Sequence, residues 1–187
     1  MNVAPLFTGE RIRLGAFFPE DVPAFSRWSQ DSDYARHLDA APAIPKSETR
    51  LARWLEEEER NRDSYIFAVR TLDTDTIIGF VHLDGILWNH GVAWLAIGIG
   101  EPDFRGRGYG FEAMQLALQF AFHEINLHRV QLTVFSYNAR AIHLYEKLGF
   151  RKEGVFREAL NRDGQRHHMF LYGLLRREWE SGLSPES

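Results

Sequence analysis

Seven residues, Phe104-Arg105-Gly106-Arg107-Gly108-Tyr109-Gly110, leave this chain the fewest choices of conformation. Upstream, residues 92–100 (VAWLAIGIG) form a short apolar run with β-branched members, which reads as a buried strand. Downstream, residues 111–125 put Met114, Ala117, Leu118, Ala121, Phe122 and Ile125 at helical spacing. The stretch therefore predicts a strand, a glycine turn and a helix in immediate succession. Glycine admits positive φ and puts no side chain in a ligand's way. The first N–H groups of the helix then point outward unpaired, on the positive end of its dipole. Such a turn suits a phosphate or pyrophosphate, and the guanidinium groups of Arg105 and Arg107 suit phosphate oxygens. A P-loop requires Gly-Lys-Ser/Thr, which is missing here. The dinucleotide fingerprint requires a third glycine where this chain has Phe111.

The rest of the chain reads as one domain spanning 1–187, since 187 residues with 44% hydrophobic content suffice for a sizeable core. A net charge of −4 speaks against a broad nucleic-acid surface. The chain has no cysteine, which excludes disulfides, a thiol nucleophile and thiolate metal sites. It shows neither a long apolar span nor a basic-then-apolar leader, so a cytoplasmic protein without membrane contact is expected. Residues 11–17 alternate as a first strand. Pro19, Glu20 and Asp21 open a helix with Val22, Phe25 and Trp28 inward. A loop is expected over 31–46, then a helix after Ser47 with Leu51, Trp54 and Leu55 inward. Glu56 to Glu59 on that helix read as a solvated face, or as an acidic rim attracting cationic amines. Strands follow at 65–71, 76–87 and 92–100, and after the central helix at 128–135. A helix over 138–148 ends at Gly149, and a hairpin of strands 153–160 and 167–175 turns at Asn161-Arg162-Asp163-Gly164. The predicted fold class is α/β (α+β): a mixed, mainly antiparallel central sheet of seven strands with four helices.

Two motifs in this frame point to a family. Arg105, Gly108 and Gly110 match R-x-x-G-x-G, and the later helix, from Asn138 through Ala141, Leu144 and Tyr145 to Gly149 and Phe150, matches N-x-x-A-x-x-L-Y-x-x-x-G-F. Together they resemble the acetyl-coenzyme A loop and the following helix of the GNAT N-acetyltransferases. The opening RIRLGAF with Pro19-Glu20-Asp21, and the late Arg157-Glu158 and Arg162-Asp163-Gly164, are most similar to the branch of ribosomal-protein N-terminal (Rim-type) and spermidine acetyltransferases. The resemblance implies that the strands 92–100 and 128–135 splay apart and take the pantetheine arm between them. It implies acetyl-coenzyme A as cosubstrate, and an amine acceptor: a protein N-terminus, or a small amine such as a polyamine or amino acid.

The same resemblance assigns roles. Backbone N–H groups of Gly106, Arg107, Gly108, Tyr109 and Gly110, with Arg105, would hold the pyrophosphate. Asn138 would reach the coenzyme, or serve as a helix N-cap. Tyr145 would protonate the departing thiolate, a phenol being a suitable donor to sulfur. Many relatives carry a glutamate where this chain has Trp94, which leaves the base open. His82 and Asp84 share a strand face with Phe80 and are the candidates; His167 and His168 are further candidates for the acceptor site. Glu101 reads as structural, and Trp28, Trp54, Trp88 and Trp94 as core or as an aromatic wall to the acceptor pocket. The histidines lack metal-ligand spacing, so no metal is expected. Dimerisation, common among relatives, makes a homodimer possible. Two other readings stay open, a coenzyme A-binding module without catalysis and a nucleotide-binding protein of another fold.

Overall fold

The computed structural model describes residues 5–183, built on one sheet of seven strands. These are β1 (Ile12–Gly15), β2 (Tyr65–Thr71), β3 (Ile77–Leu87), β4 (Val92–Ile99), β5 (Arg129–Phe135), β6 (Arg151–Arg162) and β7 (Gln165–Leu175). Their order in space is β1-β2-β3-β4-β5-β7-β6. Every neighbouring pair is antiparallel except β4 and β5, which run parallel. The parallel pair follows from the connection: a helix crosses over between β4 and β5, whereas the other neighbours either turn tightly or return from the far side.

Alternation divides the sheet's side chains between two cores. Val81 and Leu83 of β3 join Ile12, Leu14, Leu95 and Val130 against α4 (Tyr109–Gln119) and α5 (Ala139–Lys147). Phe80, one step out of phase, joins Ala68 and Ile77 against α1 (Val22–Ser29) and α3 (Glu48–Arg60). Phe80, His82 and Asp84 therefore do share one face, on the side of α1 and α3. The central helix is shorter than its apolar spacing suggests. It runs regularly to Gln119 and then widens, with Ile125 N–H bonding Phe120 C=O (3.1 Å), five residues back.

Six helices are present among the described residues, against four expected. The expected loop over 31–46 contains α2 (Ser32–Leu38), started by Asp31, whose side chain accepts from Tyr34 N–H (3.1 Å). Tyr34 and Leu38 of α2 pack partly buried on the α1/α3 core, a pair too short to betray a helix as a sequence pattern. A last helix, α6 (Arg176–Leu183), continues directly from β7 and buries Trp179 against Phe122. Pro19–Asp21 forms a single tight turn before α1, and Asp21 is buried rather than an exposed first-turn acid. No helix among the described residues is long and apolar enough to cross a membrane.

Candidate active site

The parallel ladder between β4 and β5 is only three residue pairs long: Val92 with Arg129, Ala93 with Val130, and Trp94 with Gln131. Beyond it the strands part. Leu95 to Ile99 on one side and Leu132 to Phe135 on the other line a cleft of about 940 Å³, within the range of small-molecule sites. Backbone groups along the parted edges have lost their cross-strand partners, so the cleft can take an extended ligand as an added strand.

At the open end of β4 the glycine turn behaves as its composition demands. Gly106 and Gly108 sit at φ 74° and 88°, the left-handed region that costs other residues about 1–2 kcal/mol. Gly108 precedes the first turn of α4, whose N-terminus has no side-chain cap, and the first N–H groups of the helix stand free for a ligand. The turn is braced by Arg11, the residue before β1. Arg11 Nη1 donates to Arg107 C=O (3.0 Å), its guanidinium lies 4.5 Å over the Tyr109 ring, and its backbone N–H donates to Glu112 Oε1 (2.8 Å). Glu112 also accepts from Arg11 Nε (3.1 Å).

Arg105 turns back on its own strand: Nε donates to Ile99 C=O (2.9 Å), Nη2 to Gly100 C=O (2.6 Å) and Nη1 to Asp31 Oδ2 (3.0 Å). Its guanidinium also stacks 4.9 Å over Tyr34. Through these partners Arg105, which also lines the cleft, closes β4 and ties down α2. The Asp31 carboxyl is held below the usual carboxylate range, first by the Tyr34 N–H bond and then by Arg105. Arg107 keeps its side chain exposed, and Tyr109 packs edge-on against Phe104 (5.1 Å).

Asn138 caps α5: its Oδ1 accepts from Ala141 N–H (3.2 Å), while Nδ2 donates to His37 C=O (3.4 Å). It lines the cleft, as does Tyr145 about two turns on. Tyr145 is 7% exposed and packs against Phe150 (5.9 Å). Its hydroxyl meets no protein partner among the described residues, and burial pushes the phenol up to about 12. The helix that carries it is seated on β7 by Tyr172 Oη donating to Glu146 Oε1 (2.8 Å).

On the opposite wall His82 and Asp84 both reach the cleft. Asp84 is exposed, lies in register with Trp94, and accepts from Gly85 N–H (2.6 Å). Nε2 of His82 lies 2.7 Å from Ser64 Oγ and 3.2 Å from Glu58 Oε2. Glu58 belongs to the acidic run on α3. Its three neighbours are exposed as a solvated face should be, but Glu58 turns inward. Its place was legible in principle, because it extends the inward row of Leu51, Trp54 and Leu55 by one turn. Other candidates go elsewhere. His167 packs on Tyr137 (5.0 Å), and His168 Nδ1 accepts from Glu158 N–H (2.9 Å), neither in the cleft. Trp28 and Trp54 are core, Trp88 donates to Asp63 (2.8 Å), and Trp94, 39% exposed, is the tryptophan of the four that lines the cleft. Glu101 accepts from Arg27 and from Trp28 Nε1 (3.0 Å). Among the described residues no group of three His, Cys, Asp or Glu is arranged to hold a metal ion.

A residue that the sequence reading did not foresee is Tyr34. Its ring edge lies so close to β4 that a Cβ on Gly98 would come within 2.3 Å of its hydroxyl, which explains glycine there. That hydroxyl is buried without a protein partner among the described residues, and burial raises the phenol above its ordinary value.

Comparison with known proteins agrees with this geometry. The Acetyltransferase (GNAT) domain family matches residues 11–151. An uncharacterized, SPbeta prophage-derived N-acetyltransferase of Bacillus subtilis, YokL, is 32% identical over 174 residues, covering 93% of this chain and 95% of that protein. The [ribosomal protein uS5]-alanine N-acetyltransferase of Escherichia coli is 26% identical over 129 residues, 68% of this chain and 66% of its own length. Among solved structures, the spermidine N-acetyltransferase of Vibrio cholerae in complex with CoA and spermine superposes with a TM-score of 0.83. At 24% identity, with 90% of this chain and 98% of that one covered, it is a likeness of fold.

Proposed function

The chain belongs to the GNAT acetyltransferase family and is an N-acetyltransferase; from that premise we propose that the β4–β5 cleft lays acetyl-coenzyme A against Tyr145 and passes its acetyl group directly to a primary amine. The observation that carries this reading is the short parallel ladder, which opens a gap beside a buried phenol with an unengaged hydroxyl. The N–H groups of the glycine turn and the first turn of α4 hold the pyrophosphate. The pantetheine arm lies along the unpaired edges of β4 and β5. The amine nitrogen attacks the thioester carbonyl, the carbon–sulfur bond breaks, and Tyr145 protonates the leaving thiolate. A cysteine-free chain has no thiol to carry an acyl-enzyme, in keeping with direct transfer.

For the acceptor we take the two relatives as guides, a polyamine and a protein N-terminal alanine. Asp33, Asp39 and Asp84 line the cleft and suit a cationic amine. The test is thiol release from acetyl-coenzyme A with spermidine or a peptide beginning with alanine. Release above background with either supports the proposal. Bound coenzyme with no acceleration by any amine would leave a binding module instead.

The glycine turn supplies a sharper check. Gly108→Ala places a Cβ at φ 88° and 3.1 Å from Arg11 Nη2, which strains the turn by about 1–2 kcal/mol. The dissociation constant for acetyl-coenzyme A is expected to rise about tenfold, read by titration calorimetry. An unchanged constant would move the phosphate seat elsewhere.

A further inference from the structure

The contacts of His82 settle more than its presence in the cleft. Ser64 Oγ lies 2.7 Å from Glu58 Oε2 and 2.7 Å from His82 Nε2, and Nε2 is 3.2 Å from the same carboxylate oxygen. The three side chains are largely withdrawn from water, with 16% of Glu58 and 12% of His82 exposed. A carboxylate can only accept. The single Ser64 proton therefore goes to Glu58, and the hydrogen between ring and hydroxyl must come from the ring. In the neutral imidazole that places the proton on Nε2 and leaves the Nδ1 lone pair without a protein donor among the described residues, on a residue that lines the cleft.

Resting on the acetyl-transfer reading above, we infer that His82 Nδ1 is the base that deprotonates the acceptor ammonium, with Glu58 and Ser64 as positioning residues that hold its tautomer and stabilise the imidazolium. The acceptor enters as R–NH3+ and gives one proton to Nδ1, and the freed electron pair attacks the thioester carbon. As the adduct collapses, the carbon–sulfur electron pair leaves with sulfur, which takes the Tyr145 proton. The nitrogen sheds a second proton, which restores the phenol, and keeps its third in the amide. His82 releases the proton it took to solvent. Asp84, the other candidate on this wall, is exposed and engaged by Gly85 N–H. Trp54, from the core behind this wall, stands T-shaped to the His82 ring with centroids 6.2 Å apart.

The experiment compares wild type with His82→Gln, Glu58→Gln and Glu58→Asp in the full-length chain, using thiol release with spermidine and an alanine-starting peptide. His82→Gln is expected to lower kcat about a hundredfold and Glu58→Gln about tenfold, with KM for acetyl-coenzyme A unchanged and Glu58→Asp in between. A second acceptor separates a proton-transfer role from a structural one. Hydrazine, weakly basic and already neutral at pH 9, needs no base, so the deficit of His82→Gln should shrink with it. A deficit of equal size for both acceptors, or a fully active His82→Gln enzyme, overturns the inference and leaves acetyl transfer standing. A wild type that binds coenzyme but releases no thiol with any acceptor overturns both.

Discussion

Tyr145→Phe is expected to lower kcat for acetyl transfer by about 10²–10⁴-fold, the usual worth of a positioned general acid, while acetyl-coenzyme A binds as before. The substitution removes one oxygen from a side chain that is 7% exposed, packed on Phe150 and without a hydrogen-bond partner among the described residues. Nothing in the protein is left unsatisfied, so stability at neutral pH should hold or rise slightly. Burial, by pushing the phenol from 10.0 up to about 12, keeps it protonated and able to donate throughout the working range. An alkaline loss of activity well below pH 12 must therefore come from another group. The same shift links to folding. The unfolded tyrosine releases its proton near 10 and the folded one near 12, so the folded state binds the proton more tightly. That stability is fully present below about pH 10 and is lost as pH rises through about 12, amounting to about 2–3 kcal/mol. Urea unfolding at pH 9 and 11.5 should show the loss in wild type and a smaller one in Tyr145→Phe. A Tyr145→Phe enzyme with wild-type kcat would remove the phenol from the mechanism.

Arg70→Met is expected to destabilise the fold by about 3–5 kcal/mol, the cost of leaving one member of a buried ion pair behind. Arg70 Nη2 donates to Asp21 Oδ2, with side chains only 7% and 5% exposed. Asp21 also accepts from Phe18 N–H (2.8 Å), and Arg70 Nη1 donates to Asp75 C=O (3.2 Å). The pair joins the turn before α1 to β2, with the Phe18 ring 5.2 Å over the guanidinium. Once the guanidinium is gone, the Asp21 carboxylate is buried with no countercharge. For a chain of this length the melting temperature should fall by about 10 °C. Removing both charges, as Asp21→Leu with Arg70→Met, should recover most of the loss, because two apolar groups leave no orphan. If the double variant is as unstable as the single one, packing rather than charge carries the effect.

The opposite fates of neighbouring residues show where sequence reasoning reaches. Arg105 and Gly108 lie three positions apart in one motif. Gly108 does what its chemistry requires, since a left-handed turn excludes most other residues whatever surrounds it. Arg105, long and flexible, can turn either way, and it turns toward Ile99, Gly100 and Asp31 because α2 stands there. The Glu56–Glu59 run divides likewise: helical spacing alone aims Glu58 inward, but only the arrival of β3 beside α3 gives it a histidine to meet.

Local backbone preference and strict periodicity were written along the chain: the seven strands, the glycine turn, the Asn138 cap and the inward Tyr145 each depend on residues within a turn or a strand's length of one another. What only the folded molecule decided depends on residues far apart in the chain, such as Arg11 bracing Arg107 and Glu112, Arg70 neutralising Asp21, and Ser64 and Glu58 orienting His82. A hydrogen bond or ion pair is set by distances of a few ångströms. Periodicity says which face a side chain takes, but which partner waits there is known only once the layers have packed.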